Sequence, residues 1–211
     1  MSSRLSEIFE DKAIVDRIKK RLPYLCQLAE KECSRAGKIG MQVGSMRENI
    51  IAALLIYKFG ESNVNSDIPI TKPEVDIEIF GKPVSIKTIT GKGFGGVKLV
   101  WTVDATKAIE FRETYFPQCD LLFVQIVWES KGGFYYIPLE IQKRVFEHMG
   151  KEAYIRLPKP GTNPRGAEIT KEALLRLVQD NETRVIDIVW RKSKIDYSPY
   201  KRWVDHWRSE E

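Results

Sequence analysis

Two neighbouring segments of the chain, Val75–Ile79 and Val84–Lys87, alternate apolar residues with charged or hydroxyl-bearing ones. A period of two predicts β-strands that have one apolar and one polar face. Gly81 and Lys82 stand between the segments and predict a two-residue turn, so we expect a β-hairpin within Glu74–Thr88.

The polar face of this hairpin would carry Asp76, Glu78, Ser85 and Lys87. With the predicted turn, Asp76 lies opposite Lys87 and Glu78 lies opposite Ser85, with Cβ atoms about 5 Å apart. Carboxylates are hard oxygen ligands for Mg²⁺, which can share a phosphate and stabilise its developing charge. The lysine can orient or deprotonate an attacking water. The face therefore suits phosphodiester hydrolysis; the alternative is an ordinary amphipathic hairpin with an exposed ion pair.

The remaining patterns predict the elements that would position this hairpin. Helices are expected at Leu5–Ala36 (broken near Pro23), Ser45–Phe59 (with Ser45 and Glu48 as a capping box), Asp104–Phe116, Leu139–Met149 and Thr170–Gln179. Further strands are expected at Val97–Val103, Leu121–Trp128, Phe134–Ile137 (after a turn at Gly132-Gly133), Ala153–Leu157 and Arg184–Trp190. This order predicts an α/β (α+β) fold in which helices flank a mixed central β-sheet, and the helix Ser45–Phe59 should cover the apolar face of the hairpin.

Composition narrows the function classes. The 211 residues are 43% hydrophobic and 30% charged, with a net charge of +5, which indicates a globular chain with a mild preference for polyanions. Three cysteines and two histidines argue against a disulfide framework or a zinc site. No secretory leader and no apolar run long enough for a membrane span are visible, so we expect a cytoplasmic protein without membrane contact.

The segment from Pro73 to Lys87, P-E-V-D-(x)8-S-I-K, resembles the PD-(D/E)XK nucleases. The resemblance implies a restriction-endonuclease-like fold, in which a helix precedes the hairpin, and a Mg²⁺ cofactor. Carried onto this chain, it assigns Asp76 and the main-chain carbonyl of Ile86 to the metal and Lys87 to catalysis. Glu48 matches a carboxylate that many members place on the preceding helix.

Ser85 departs from the family pattern, which has Asp or Glu there. The acidic role would then fall to another carboxylate; the candidates are Glu78, Glu48 and, on the following helix, Glu110. A non-cleaving member of the family would show the same departure.

Chain size and the basic last third are similar to type II restriction endonucleases of the ThaI type. That resemblance implies a homodimer that cuts both strands of a short palindromic site in double-stranded DNA, leaving 5′-phosphate and 3′-hydroxyl ends. Residues 1–211 would form a single nuclease domain, with 1–44 as a helical extension, 45–128 as the catalytic core and 129–211 completing the core. A resolvase or repair nuclease of the same fold, and a non-catalytic DNA-binding protein, remain the alternatives.

Three regions offer contacts to DNA, through phosphates or base edges. The candidate residues are Met46 and Arg47 at a helix start, Lys92 and Lys98 in a glycine-rich loop, and Lys159, Asn163 and Arg165 in a proline-rich loop. Met46 could enter a base step as an apolar wedge. The alternatives without a DNA contact are that Met46 packs against the protein and that the two loops only connect secondary-structure elements. The basic aromatic tail Arg191–Arg208 could follow the DNA backbone, form a dimer contact or pack its aromatic rings onto the domain, and packing is the expected arrangement.

Overall fold

The computed structural model describes residues 4–35, 38–39, 42–69, 74–158 and 166–209. Its α-helices are α1 (Glu7–Glu10), α2 (Lys12–Glu32), α3 (Val43–Phe59), α4 (Ala105–Thr114), α5 (Leu139–Met149), α6 (Lys151–Tyr154), α7 (Lys171–Gln179) and α8 (Lys201–Arg208), with short 3-10 helices at Arg4–Ser6 and Glu61–Asn63. Its strands are β1 (Ser34–Arg35), β2 (Lys38–Ile39), β3 (Val64–Asn65), β4 (Ile77–Ile79), β5 (Lys82–Thr90), β6 (Lys98–Val100), β7 (Asp120–Ile126), β8 (Ser130–Ile137), β9 (Ile155–Arg156), β10 (Ala167–Ile169) and β11 (Arg184–Trp190).

The central sheet has six strands in the order β11-β8-β7-β5-β4-β3. β5 and β7 are parallel, while the other neighbouring pairs are antiparallel. The predicted mixed sheet flanked by helices is therefore confirmed. A smaller sheet, β6-β10-β9, and the pair β1-β2 complete the strand pairing of the described residues.

Helices cover the central sheet on both sides. One core contains α2 and α3 together with the apolar face of the β4-β5 hairpin, including Ile51, Leu55, Ile77 and Val84. The other contains residues of α5 and α7. The prediction that the helix before the hairpin packs on its apolar face is confirmed, and it leaves the opposite face of β5 to carry Ser85 and Lys87.

The hairpin turn lies one residue earlier than predicted. Ile79 pairs with Lys82, so Phe80 and Gly81 form the turn, with φ values of 49° and 75°. Positive φ at both positions is the geometry of a two-residue type I′ turn, which glycine favours and phenylalanine adopts only at a cost. Phe80 is held by an edge contact with Phe59 (5.5 Å between ring centroids) and by the guanidinium of Arg4, 4.4 Å from its ring centre.

The shifted turn changes the strand register by two residues. Glu78 pairs with Pro83, and the continued register puts Asp76 opposite Ser85, so the predictions that Glu78 lies opposite Ser85 and Asp76 opposite Lys87 are both wrong. A shift by two keeps every side chain on its predicted face, whereas a shift by one would have exchanged the two faces.

Two predicted helix boundaries are also wrong. Pro23 lies inside the continuous helix α2, because Leu22 and Cys26 on either side of it belong to one core and packing offsets the missing hydrogen bond. The break falls at Asp11, whose carboxylate caps α2. Ser45 is not a cap either: α3 begins at Val43, and no side chain of the described residues caps its start.

The predicted turn at Gly132-Gly133 is wrong as well. Both glycines lie within β8, and the turn before it contains Glu129, with φ 59°. A Cβ atom at Gly132 would lie 2.3 Å from the Gln125 carbonyl oxygen, so the position requires glycine for close approach to β7. Smaller differences concern Val97–Val103, where the strand is shorter, and Ala153–Leu157, whose first residues end a helix.

The basic aromatic tail ends in α8, and the prediction that its aromatic rings pack onto the domain is wrong for Trp203 and Trp207. Trp203 is 54% exposed and Trp207 is 86% exposed, so these rings do not pack onto the domain. None of the helices within the described ranges is long and apolar enough to cross a membrane.

Candidate active site

Asp76 receives three hydrogen bonds on one carboxylate oxygen. Its Oδ2 accepts from Ile86 N at 2.6 Å, from Lys87 Nζ at 2.8 Å and from Ser85 Oγ at 3.3 Å. Among the described residues no donor reaches Oδ1, which leaves that oxygen available to a cation. The structure thus brings Asp76, Ser85 and Lys87 together on the polar face of the hairpin.

Asp76 reaches these partners because it lies just outside β4. Its N–H donates to the Val84 carbonyl at 3.0 Å, so the register continues and Asp76 falls opposite Ser85. The N–H of Ile86 points to the Asp76 carboxylate and not to a strand. Since the N–H and C=O of one strand residue point to the same side, the Ile86 carbonyl is directed toward this site as well.

Glu48 lies beside this group on α3. Burial raises the pKa of Glu48 above its usual range; the positive charge of Lys87 opposes that rise and the negative charge of Asp76 adds to it. Glu48 and Lys87 line one cleft of about 730 Å³, and Asp76 lies next to it through its ion pair with Lys87. Its lining also includes Gly44, Ser45, Thr88, Gly96, Val97, Lys98, Leu99, Val100, Trp101 and Glu168.

The other two carboxylate candidates lie away from Ser85. Glu78 faces Pro83, and its Oε2 accepts a hydrogen bond from Asn65 Nδ2 at 3.3 Å. Glu110 is exposed on α4. Glu48, by contrast, is coupled electrostatically to both Lys87 and Asp76.

Glu74 is a site neighbour that the sequence analysis missed. Its Oε1 accepts from the Tyr115 hydroxyl at 2.7 Å, and its backbone has a φ of 75°. Burial raises the pKa of Glu74 to about 7; the Tyr115 hydrogen bond and the Lys87 charge oppose the rise, and the Asp76 charge adds to it. No sequence signal pointed to Glu74, because its contact with Tyr115 joins residues 41 positions apart.

The pKa of Glu74 predicts a pH-dependent effect of Glu74→Gln on stability in EDTA. The unfolded chain releases this proton near the usual value of 4.5, whereas the folded protein holds it up to about 7. Between these values the unfolded state binds fewer protons, so this group's contribution to stability falls as pH rises through the window. We expect the free energy of unfolding of Glu74→Gln, relative to wild type, to rise by about 2 kcal/mol between pH 5 and pH 8.

Urea unfolding at the two pH values measures this difference. Glu110→Gln, which removes an exposed carboxylate, is the control for a change in surface charge. A constant difference between Glu74→Gln and wild type across the window would contradict the prediction.

The structure places Arg47 in a different environment from the one predicted. Arg47 is 4% exposed, and its guanidinium is bonded to Glu30 and Thr90, so it is not a surface cation available to a phosphate. Sequence alone suggested a DNA contact because arginine at a helix start is usually solvated. Met46 is half-buried in the first turn of α3.

The remaining predicted DNA contacts are divided between paired and exposed groups. Lys98 Nζ lies 2.9 Å from Glu168 Oε1, so its charge is already paired. Lys92 is exposed, and its carbonyl accepts from the buried side chain of Gln125 at 3.2 Å, which anchors the glycine-rich loop. Lys159, Asn163 and Arg165 lie outside the described residues.

The donor set fits a hard divalent cation better than a soft one. The carboxylates of Asp76 and Glu48 both interact with Lys87, and the Ile86 carbonyl is directed toward Asp76; oxygen donors of this kind suit Mg²⁺. Across the described ranges, no group of three or more His, Cys, Asp or Glu side chains forms a metal cluster by itself. A cation here would therefore depend on the main chain and on the substrate for further ligands.

Comparisons with known proteins agree with this geometry. A solved structure described as "Restriction endonuclease in complex with substrate DNA" is 58% identical to this chain, with a TM-score of 0.93. The match covers 99% of this chain and 100% of that one. Curated proteins provide no match.

The fold and the hairpin side chains define the class: a restriction-endonuclease-like nuclease with a mixed central sheet. The family model for restriction endonuclease ThaI matches residues 8–210, and the chain belongs to that family. It is accordingly a type II site-specific deoxyribonuclease, and the resemblance identified in the sequence is confirmed.

Proposed function

We propose that this enzyme is a Mg²⁺-dependent endonuclease that cuts both strands of a short palindromic site in double-stranded DNA. The products would carry 5′-phosphate and 3′-hydroxyl ends. The observation that carries the proposal is the set of hydrogen bonds from Ser85, Ile86 and Lys87 to Asp76 Oδ2, beside the cleft that Lys87 and Glu48 line.

Asp76, Glu48 and the Ile86 carbonyl would hold the cation. Asp76 keeps Oδ1 for this purpose, because the three donors that reach it from the described residues all bind Oδ2. Glu48 is half-buried, so its negative charge is poorly solvated and gains from a nearby cation. When bound, Mg²⁺ would stabilise the charge that develops on the phosphate.

Lys87 would act on the attacking water. Its ion pair with Asp76, with side chains 17% and 28% exposed, holds the ammonium at the cleft. From there Lys87 would orient the water or take its proton, and its charge would compensate that of the phosphate. Ser85 supports the arrangement by donating a hydrogen bond to Asp76.

A homodimer is the assembly that fits a palindromic site, because two-fold symmetry of the protein matches two-fold symmetry of the DNA. Substrate DNA accompanies the 58% identical structure. In this enzyme, Lys92 is an exposed candidate for a phosphate contact and Met46 a candidate wedge between bases. Lys98 would bind phosphate only by exchanging Glu168 for it. A cytoplasmic location follows from cutting DNA inside the cell.

Digestion of a plasmid with Mg²⁺, followed by run-off sequencing of the ends, tests this function. Discrete fragments with a common two-fold-symmetric end sequence are expected. Nicking only at branched junctions would indicate a resolvase, and retention of DNA without cutting would indicate a binding protein; either result would contradict the proposal.

A comparison of Glu48→Gln with Glu78→Gln identifies the carboxylate that replaces the missing acid. We expect Glu48→Gln to lower the cleavage rate by about 100-fold and to raise the Mg²⁺ requirement, because Glu48 lines a cleft with Lys87 and interacts with the charge of Asp76. Glu78→Gln is the matched control, and we expect an effect within about threefold because Glu78 faces Pro83. Cleavage rates at several Mg²⁺ concentrations measure both, and equal small effects would remove Glu48 from the metal site.

A further inference from the structure

Arg47, the residue before Glu48 on α3, forms a buried ion pair with Glu30. The Arg47 side chain is 5% exposed and the Glu30 side chain of α2 is 8% exposed. Arg47 Nη2 donates to Glu30 Oε1 at 2.5 Å, and Trp128 Nε1 donates to the same oxygen at 2.8 Å. Since removing either charge would leave the other buried and uncompensated, this pair ties α3 firmly to α2.

A second bond of Arg47 reaches the strand that carries the active-site residues. Arg47 Nη1 donates to Thr90 Oγ1 at 2.9 Å, and Thr90 is the last residue of β5, three positions after Lys87. A planar guanidinium presents donors in fixed directions, whereas a lysine ammonium on a flexible stem cannot reproduce both bonds. Arg47 thereby sets the separation between the first turn of α3 and the end of β5.

The arrangement favours a role inside the protein over a contact with DNA. Arg47 Nε is buried and has no hydrogen-bond partner among the described residues, which costs stability. A guanidinium in this position would have to break its bonds to Glu30 and Thr90 before it could meet a phosphate.

We propose that Arg47 is a positioning residue of the active site, which holds Glu48 where it can share one cation with Asp76. This inference rests on the proposed function, in which those two carboxylates hold Mg²⁺. Glu30 and Thr90 act through Arg47 and touch none of the reacting groups.

Thr90→Val and Arg47→Lys test the proposal. Thr90→Val removes the acceptor of one Arg47 bond with little change in shape, and Thr90→Ser is its matched control because it keeps a hydroxyl. For Thr90→Val and Arg47→Lys we expect the Mg²⁺ concentration at half-maximal cleavage to rise about tenfold. The Kd of Mg²⁺ for the enzyme, measured by calorimetry, should rise by the same factor. Thr90→Ser should stay within about twofold of wild type.

Partial unfolding raises the half-maximal Mg²⁺ concentration in inverse proportion to the folded fraction, so a tenfold rise from this cause alone would need roughly nine-tenths of the enzyme to be unfolded. Circular dichroism of each variant measures that fraction. Unchanged values in both variants overturn the proposal if Glu48→Gln raises them. If Glu48→Gln also leaves them unchanged, Glu48 holds no metal, and both the proposed function's metal site and this inference fail.

The salt dependence of DNA binding in EDTA distinguishes a positioning role of Arg47 from a contact between Arg47 and a DNA phosphate. If Arg47 of each protomer bound a phosphate of the DNA, Arg47→Gln would reduce the slope of log Kd against log salt concentration by about one unit per protomer, or about two units for the homodimer. We expect no change in slope, and a reduction of that size would overturn the proposal. Should Arg47→Gln fail to fold, the two Thr90 variants still decide the question.

Discussion

Asp76→Asn is expected to lower the rate of DNA cleavage by at least about a thousandfold while DNA binding survives. The substitution keeps the size of the side chain, and an amide oxygen can still accept from Ile86 N and Ser85 Oγ, so the hairpin should fold. The amide cannot supply the charge that pairs with Lys87 or that would hold a cation through Oδ1. The loss should therefore appear in the chemical step and in the Mg²⁺ requirement.

Single-turnover cleavage of a plasmid, with DNA binding measured in EDTA, separates these effects. Asp67→Asn is a suitable control, because Asp67 is an exposed carboxylate on the loop after β3. Normal cleavage by Asp76→Asn would contradict the assignment of the whole site to this hairpin face.

Lys87→Met is expected to lower cleavage by about a thousandfold, with a metal response opposite to that of Asp76→Asn. Removal of the ammonium leaves the negative charges of Asp76 and Glu48 without their shared positive neighbour. Cation binding should then be as tight as in wild type or tighter, because the repelling positive charge is gone. A rate loss without a raised Mg²⁺ requirement would show that Lys87 acts on the water or the phosphate.

Lys87→Arg distinguishes the two roles proposed for the lysine. Arginine keeps the positive charge but cannot give up its proton, since its pKa lies above about 12. Recovery of most of the activity would indicate charge compensation, whereas a loss as large as that of Lys87→Met would indicate proton transfer. Lys82→Met, at the exposed first residue of β5, is the matched control, and a similar loss there would contradict a specific role for Lys87.

Local sequence pattern was sufficient to predict the faces of the hairpin. Alternation over Val75–Ile79 and Val84–Lys87 separated Ile77 and Val84, which are buried in a core, from Asp76 and Lys87, which share an ion pair. This succeeds because side chains alternate along a strand whatever it pairs with. The same reasoning predicted the mixed sheet flanked by helices.

The register of the hairpin could not be read from the same pattern. Gly81 fits a turn with either Phe80 or Lys82. The turn forms at Phe80-Gly81 because contacts with Phe59 and Arg4 stabilise the positive φ of Phe80. These contacts join residues that are remote in sequence. The register in turn decides that Asp76, and not Glu78, lies beside Ser85.

The sequence by itself determined which residues lie on the polar face of the hairpin, and its resemblance to restriction endonucleases identified the family. Only the tertiary structure decided which carboxylates approach one another. Glu48 and Glu74 both lie close enough to Asp76 and Lys87 to interact with their charges. Arg47 is buried in an ion pair with Glu30 and is not on the surface. The physical reason is that a strand's faces follow from local backbone geometry, whereas burial and charge pairing depend on which distant elements pack together.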